Sequence, residues 1–157
     1  MVGTARAEAA LAQAGVEYRL THHEGPVRSL AEAAAQRGVE PRDIVKTLVV
    51  RRGEGDYLFV LVPGDREFSW PKLRAHLGVK RMTMPGPDEA REATGYERGT
   101  ITPFGSSRAW PVIADQDIVG RTVSMGAGQR GAAVTLSGDA MISALNAAVV
   151  DVADDPA

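Results

Sequence analysis

Several features are missing from this 157-residue sequence, and each absence excludes some classes of site or protein. There is no cysteine, which excludes disulfides, thiolate metal sites and a cysteine nucleophile. No run approaches the roughly 18 consecutive apolar residues of a membrane-spanning helix. Arg6 and Glu8 also interrupt the N-terminal segment, where a signal peptide would be apolar. We therefore expect a soluble, cytoplasmic protein that does not contact membranes.

The sequence also lacks an excess of positive charge. It has 18 basic and 20 acidic residues, so its formal net charge of −2 creates no overall field that attracts nucleic acid. A protein that grips only the end of a nucleic acid needs no more than a local basic rim, because counterion release scales with the phosphates contacted. The candidates for such a rim are Arg28, Lys72, Arg74, Lys80, Arg81, Arg98, Arg108 and Arg130.

What is present indicates one domain of mixed α/β class over residues 1–157. An apolar content of 44% suits a single buried core, and no repeats are visible. Capping residues, glycines and alanine-rich runs predict helices over residues 4–14, 29–38, 72–77, 87–94 and 138–148. β-Branched and aromatic runs predict strands over residues 17–21, 44–52, 57–63, 80–84, 111–114, 122–125, 132–136 and 149–152.

Lys46 lies within an otherwise apolar strand, residues 44–50. The alternation of a strand places Lys46 on the same face as Ile44, Leu48 and Val50. A lysine among apolar neighbours loses hydration unless it meets an anion or a polar partner, which makes Lys46 a candidate site residue. The alternative is that its side chain extends from the first turn of the strand to water.

Two glycine-rich segments are candidates for the walls of a pocket. Residues 99–105 form a loop between Gly99 and Gly105 that could present backbone N–H groups to a carboxylate, a phosphate or an oxyanion. Residues 126–131 have the glycine spacing of a dinucleotide fingerprint, but the run 132–136 that follows is typical of a strand, which disfavours a dinucleotide site. Each segment could instead be an ordinary turn.

Two other kinds of site are rejected. His22 and His23 are adjacent and would point to opposite faces of a strand, and only His76 remains elsewhere, so we expect no zinc site. Ser106 and Ser107 do not lie in a nucleophile elbow, which disfavours a serine hydrolase.

Taken together, the motifs resemble the YbaK family, also called the prolyl-tRNA synthetase associated or INS-type aminoacyl-tRNA editing domain. The resemblance covers residues 5–151 and depends on three features in this order: Lys46-Thr47-Leu48, Pro103-Phe104-Gly105 and the spacing of Gly126, Gly128 and Gly131. It implies a largely antiparallel, barrel-like mixed sheet surrounded by helices. It also implies hydrolysis of the ester between an amino acid and the terminal ribose of tRNA, with no cofactor and no metal.

The resemblance further implies roles for individual residues. Lys46 matches the central functional residue, which contacts the aminoacyl group or the terminal phosphate. Thr47 resembles the cysteinyl-tRNA(Pro) deacylase branch, so we expect cysteinyl-tRNA(Pro) or a tRNA carrying a similar small amino acid as the substrate. The other residues expected to bind substrate are Gly99, Pro103, Phe104, Gly105, Ser124, Gly126, Gly128, Gly131, Tyr18, His22 and Asp139.

The expected partner is the 3′ acceptor end of an aminoacyl-tRNA, with prolyl-tRNA synthetase as a further partner. Because the chain has no obvious nucleophile, a positioned water or the substrate's own thiol would attack the ester. Two other functions stay open at this point. One is a non-catalytic module that binds aminoacyl-tRNA or a synthetase, and the other is a small nucleotide-binding protein that uses the glycine-rich turn.

Overall fold

The computed structural model describes residues 3–154. Its helices are α1 (Ala5–Gln13), α2 (Leu30–Arg37), α3 (Trp70–Leu77), α4 (Pro87–Thr94) and α5 (Gly138–Leu145). Its strands are β1 (Tyr18–His22), β2 (Val45–Gly53), β3 (Asp56–Pro63), β4 (Val112–Asp115), β5 (Thr122–Gly126), β6 (Ala132–Ser137) and β7 (Ala148–Val150). Within this range, no helix has both the length and the apolar character needed to cross a membrane.

Short polar signals in the sequence determine where the helices begin and end. The hydroxyls at the N-termini of α2, α3 and α5 accept hydrogen bonds of 3.0–3.3 Å from the backbone amide three residues on; they belong to Ser29, Ser69 and Ser137. Such a cap contributes about 1 kcal/mol. Helices α2, α3 and α4 end at glycines in the left-handed conformation, Gly38, Gly78 and Gly95, which a residue without a Cβ adopts most easily.

The hairpin predicted from two β-branched runs is formed by β2 and β3. The strands pair antiparallel, with Lys46 opposite Val62 and Thr47 opposite Leu61. The turn between them includes Gly55 at φ +68°, a conformation that favours glycine. The prediction of this hairpin is confirmed, and it places the Lys46-Thr47 pair in the first half of β2.

The strands form two sheets. One is antiparallel in the order β1-β6-β5. The other has the order β2-β3-β4-β7, with β2 and β3 antiparallel and the β3-β4 and β4-β7 pairs parallel. A single parallel bridge, Ile44 to Ser124, connects the start of β2 with β5. The mixed α/β class is confirmed, although the two sheets are not closed into a barrel.

The two faces of β2 pack into different parts of the core. The face that includes Val49 packs with residues of α1, β5 and β6, whereas the face that includes Val50 packs against Leu73 of α3. Burial of each large apolar side chain contributes about 1.5–3 kcal/mol. Since successive residues of a strand alternate, Lys46 lies on the α3 side of the sheet and Thr47 on the β5 side.

Three sequence expectations about elements are wrong in detail. No strand forms over residues 80–84, where only Thr83 bridges to Arg51; most of this segment is exposed and no neighbouring strand extends along it. Strand β7 stops at Val150, because the amide of Val152 donates to the buried carboxylate of Asp115 (3.0 Å) instead of to a strand. Helix α5 ends three residues before residue 148, where Asn146 adopts a left-handed conformation with φ +50°.

Candidate functional site

A cavity of about 370 Å³ opens beside the single bridge that connects the two sheets. It lies between the first half of β2, the end of α2 and the two glycine-rich segments. The residues predicted from sequence that line it are Lys46, Thr47, Gly99, Gly126 and Gly131. Other polar residues in its wall are His23, Arg37, Arg98 and Gln129. The fold therefore gathers five of the predicted site residues, which are far apart in the chain, around one space.

Lys46, one of the residues that line the cavity, has a polar partner within the protein. Its ammonium donates a hydrogen bond of 2.8 Å to the backbone carbonyl of Arg66, and the residue is half-buried. The Arg66 guanidinium is itself held by Asp117 and lies 3.7 Å from the buried carboxylate of Asp115. An ammonium has three N–H donors, so the carbonyl leaves two available for a ligand. The Lys46 ammonium thus has a protein partner instead of water alone, and its role in a site stays a prediction.

Thr47 presents an unsatisfied hydroxyl on the other face of β2. Its Oγ1 is buried and has no hydrogen-bond partner among the described residues. A buried polar group without a partner costs about 1–3 kcal/mol, and Thr47 also lines the cavity. A ligand in the cavity would supply the missing partner.

The loop of residues 99–105 contributes only its first half to the cavity. Gly99 and Ile101 line it, whereas Phe104 is 3% exposed and belongs to the core. Pro103 and Gly105 are also absent from the cavity wall. The expectation that Pro103, Phe104 and Gly105 contact substrate directly does not fit these positions, because the second half of the loop turns into the protein.

That second half is clamped by α1 and by Tyr96. The Arg6 guanidinium donates to the carbonyl of Gly105 (2.5 Å) and stacks over the Tyr96 ring at 4.7 Å. The Tyr96 hydroxyl donates to the carbonyl of Phe104 (2.7 Å). Burial raises the pKa of Tyr96, which keeps this hydroxyl protonated and able to donate. The clamp sets the position of the half that does reach the cavity.

The segment of residues 126–131 lines the cavity with both of its terminal glycines. Gly128 instead packs on Tyr96, and its amide donates to the carbonyl of Thr100 (3.0 Å). This bond ties the second glycine-rich segment to the first. Strand β6 follows directly, as the sequence indicated, so the strand-turn-helix arrangement of a dinucleotide site is absent.

The remaining predicted residues lie outside the cavity wall. The Tyr18 hydroxyl donates to Glu8 (2.8 Å), and the Asp139 carboxylate accepts from the amide of Gly120 (2.9 Å). His22 is exposed on β1. Ser124 is fully buried and absent from the cavity wall; its hydroxyl accepts a hydrogen bond of 3.5 Å from Arg37, which does line the cavity. Tyr18, His22 and Asp139 are thus structural or surface residues in this geometry.

Sequence analysis missed two polar residues of the cavity, His23 and Arg37. Arg37 closes an alanine-rich helix, and nothing in that local pattern indicates that its side chain reaches a pocket. In the sequence, His23 stands out only as a candidate metal ligand beside His22. Among residues 3–154, no group of three or more His, Cys, Asp or Glu side chains is placed to hold a metal ion.

The basic rim expected from sequence is only partly assembled. Arg98 lines the cavity, and Arg130 lines an adjacent hollow of about 590 Å³ that also includes Arg91. Lys72 instead pairs with Asp151 (3.1 Å), and Arg108 stacks over Trp110 at 4.4 Å.

Comparison with known proteins identifies the family. Residues 24–144 match the aminoacyl-tRNA editing domain. The proline–tRNA ligase of Thermosipho melanesiensis is 38% identical over 96 residues, which is 61% of this chain but only 17% of that enzyme. The protein EbsC of Enterococcus faecalis, named as a candidate Cys-tRNA(Pro)/Cys-tRNA(Cys) deacylase, is 30% identical over 74% of this chain and 72% of its own.

A solved structure is also similar to this chain, over nearly its whole length. It is described as a candidate trans-editing enzyme for prolyl-tRNA synthetase, and it is 27% identical with a TM-score of 0.88 over 97% of both chains. The chain spans nearly the whole of that solved structure and less than a fifth of the proline–tRNA ligase of Thermosipho melanesiensis. This chain belongs to the aminoacyl-tRNA editing domain family.

Proposed function

We propose that this chain is a trans-editing hydrolase that deacylates mischarged aminoacyl-tRNA, with cysteinyl-tRNA(Pro) or a tRNA carrying a similar small amino acid as its substrate. Membership of the editing family supports the reaction. The observation that carries the assignment to a site is the glycine-lined cavity, whose wall includes both Lys46 and Thr47 with its unsatisfied hydroxyl. Its volume of about 370 Å³ suits a small ligand.

Hydrolysis in this cavity depends on orienting the ester and the attacking water, and it does not require a nucleophilic side chain of the protein. An aminoacyl ester is already activated, so orientation of the attacking group and stabilisation of the oxyanion lower the barrier. We assign these two tasks to the two remaining donors of Lys46 and to the backbone amides of Gly99 and Ile101, all residues that line the cavity. Water adds to the carbonyl carbon, the ester bond to the ribose oxygen breaks, and that oxygen receives the proton. In a cysteinyl ester, the thiol of the substrate is a second available nucleophile.

The same proposal includes the partners. The 3′ acceptor end of the tRNA enters the cavity, and we assign contacts with its backbone to Arg98 in the cavity wall and Arg130 in the adjacent hollow. Prolyl-tRNA synthetase is the proposed source of the mischarged substrate, since the similar segment in Thermosipho melanesiensis is part of a proline–tRNA ligase. We place this activity in the cytoplasm and assign it to one domain over residues 1–157.

The test is a deacylation panel with cysteinyl-, alanyl- and seryl-tRNA on matched and mismatched tRNA bodies. We expect Lys46→Ala to lower kcat/KM by about 100-fold or more. Thr47→Val, which keeps the shape and removes the hydroxyl, should lower it by about tenfold. Arg42→Ala is the control, because Arg42 is exposed, lies outside the cavity wall and is not a candidate for the basic rim.

Each outcome of the panel has a different meaning. Binding of aminoacyl-tRNA by the folded protein with no turnover of any ester would replace the enzyme with a non-catalytic binding module. Stabilisation by free nucleotide, with no response to aminoacyl-tRNA, would indicate a nucleotide-binding protein. Full activity of Lys46→Ala would remove Lys46 from the mechanism and leave the reaction class intact.

A further inference from the structure

The cavity is lined by cations without carboxylates. Arg37, Lys46 and Arg98 are in its wall, and none of the described residues that line it is an aspartate or a glutamate. The α-amino group of an aminoacyl ester is itself cationic near neutral pH, so these side chains do not serve to bind it. Such a wall is suited to an anion, and the anionic group nearest the ester at a tRNA 3′ end is a phosphate.

Among these three cations, Arg37 is held in place by hydrogen bonds to two other side chains. Its Nε donates to Nε2 of His23 (3.1 Å), and its Nη1 donates to Oγ of Ser124 (3.5 Å). No carboxylate in the described chain lies within salt-bridge distance of it. Burial lowers the pKa of Arg37, in keeping with a guanidinium that is partly removed from water.

The hydrogen bonds around His23 define the state of its ring. Since Nε2 accepts from Arg37, the ring proton lies on Nδ1, which is 2.9 Å from the side-chain oxygen of Gln36. The same oxygen of Gln36 accepts from the amide of Glu24 (3.2 Å). Gln36, His23 and Arg37 thus form a chain of directed bonds that ends at the guanidinium. A guanidinium has five N–H donors, so three remain for a ligand.

We propose that Arg37, oriented by His23 and Ser124, binds the phosphate on the 5′ side of the terminal adenosine of the substrate. This inference rests on the proposed function, because it takes the ligand to be an aminoacyl-tRNA end. A planar guanidinium with several free donors matches a phosphate better than a carbonyl oxygen. Arg37 and Lys46 then have separate roles, since Arg37 holds the phosphate and Lys46 acts at the ester.

Binding of AMP and of adenosine tests the site without any catalysis. The wild-type protein should bind AMP about 10- to 100-fold more tightly than adenosine, as expected for charge-assisted hydrogen bonds to one phosphate. Arg37→Met, which keeps an unbranched side chain and removes the charge, should reduce this ratio to about 1, and Arg37→Lys should restore part of it. Arg42→Met is the matched control, since Arg42 is exposed and absent from the cavity wall.

A second measurement connects the site with the reaction. Two small esters are compared, the aminoacyl ester of adenosine and that of AMP, and the ratio of their kcat/KM values is measured for each variant. Arg37→Met should reduce the preference for the phosphate-bearing ester from about 10- to 100-fold to about 1. His23→Gln should give an intermediate ratio, because it loosens the orientation of Arg37 without removing the charge.

The outcomes separate this inference from the function on which it rests. An unchanged preference for AMP in folded Arg37→Met, or a wild type that binds AMP and adenosine equally, overturns the phosphate site even if tRNA is deacylated. A wild type that hydrolyses no ester overturns the proposed function, and the binding ratio of AMP to adenosine still decides the role of Arg37. If Arg37→Met does not fold, Arg37→Lys and His23→Gln provide the same comparison.

Discussion

The two glycine-rich segments look alike in sequence but serve different purposes. A Cβ on Gly131 would meet no atom within 4 Å, whereas one on Gly105 would lie 2.6 Å from the backbone of Arg6 and from the Tyr96 hydroxyl. Gly131 therefore serves the left-handed turn alone, with φ +75°, whereas Gly105 also allows α1 to approach the loop closely. The same sequence pattern, a pair of glycines around a turn, therefore arises for two different physical reasons.

The largest expected difference between the segments is in stability. Gly105→Ala combines a positive φ of +75° with a backbone clash, so the free energy of unfolding should fall by about 3 kcal/mol or more. Gly131 has the same φ of +75°, but a Cβ there would extend into open space. Gly131→Ala should therefore lower the free energy of unfolding by only about 1 kcal/mol. Urea unfolding of both variants measures the difference. Equal losses would show that conformation alone, and not close packing, explains these glycines.

A smaller effect should appear in activity when the cavity side is changed. A Cβ on Gly126 would lie 3.5 Å from the carbonyl of Ile101, an ordinary contact, and its φ is not positive. Gly126→Ala should therefore fold with nearly unchanged stability, but the added methyl group displaces the ester and lowers kcat/KM by about tenfold. The deacylation assay and urea unfolding are run on the same protein. A folded variant with full activity would mean that residues 126–131 do not shape the substrate site.

The smallest effect concerns the clamp and depends on pH. Hydrogen bonds from Thr4 and then from Tyr18 lower the pKa of Glu8 on α1 below its ordinary value of 4.5. A lowered folded-state pKa contributes stability that is present above the unfolded pKa and is lost as pH falls through the folded one. Below about pH 4.5, α1 and its Arg6 clamp should loosen, while the wall of the cavity is unaffected.

The pH effect is checked by urea unfolding of wild type and Glu8→Gln at pH 7, 4.5 and 3. The variant cannot ionise, so its stability should depend less on pH than that of the wild type in the acidic range. Parallel curves for the two proteins would show that Glu8 does not link α1 to acid unfolding. Glu17→Gln is a suitable control, because Glu17 is exposed and lies just outside β1.

Much of the secondary structure was predictable because its causes are local. A serine cap acts over three residues, a C-terminal glycine over one turn, and a hairpin over two neighbouring strands. The strand predicted over residues 80–84 failed for the opposite reason: its composition suited a strand, but a strand requires a partner, and only Thr83 has one. The same distinction applies to the site residues. The local sequence around Lys46 and Thr47 marks them as candidates, whereas nothing in the sequence around Arg37 indicates that it reaches the cavity.

The sequence by itself determined the helix caps, the β2-β3 hairpin and, through three short motifs, the editing family to which the chain belongs. Only the tertiary structure decided that Lys46 meets a carbonyl 20 residues away, that Phe104 enters the core and that His23 and Arg37 reach the cavity. The physical reason is the sequence separation over which each interaction acts. Capping and alternation act between neighbours along the chain, whereas the walls of a cavity depend on how distant segments pack against one another.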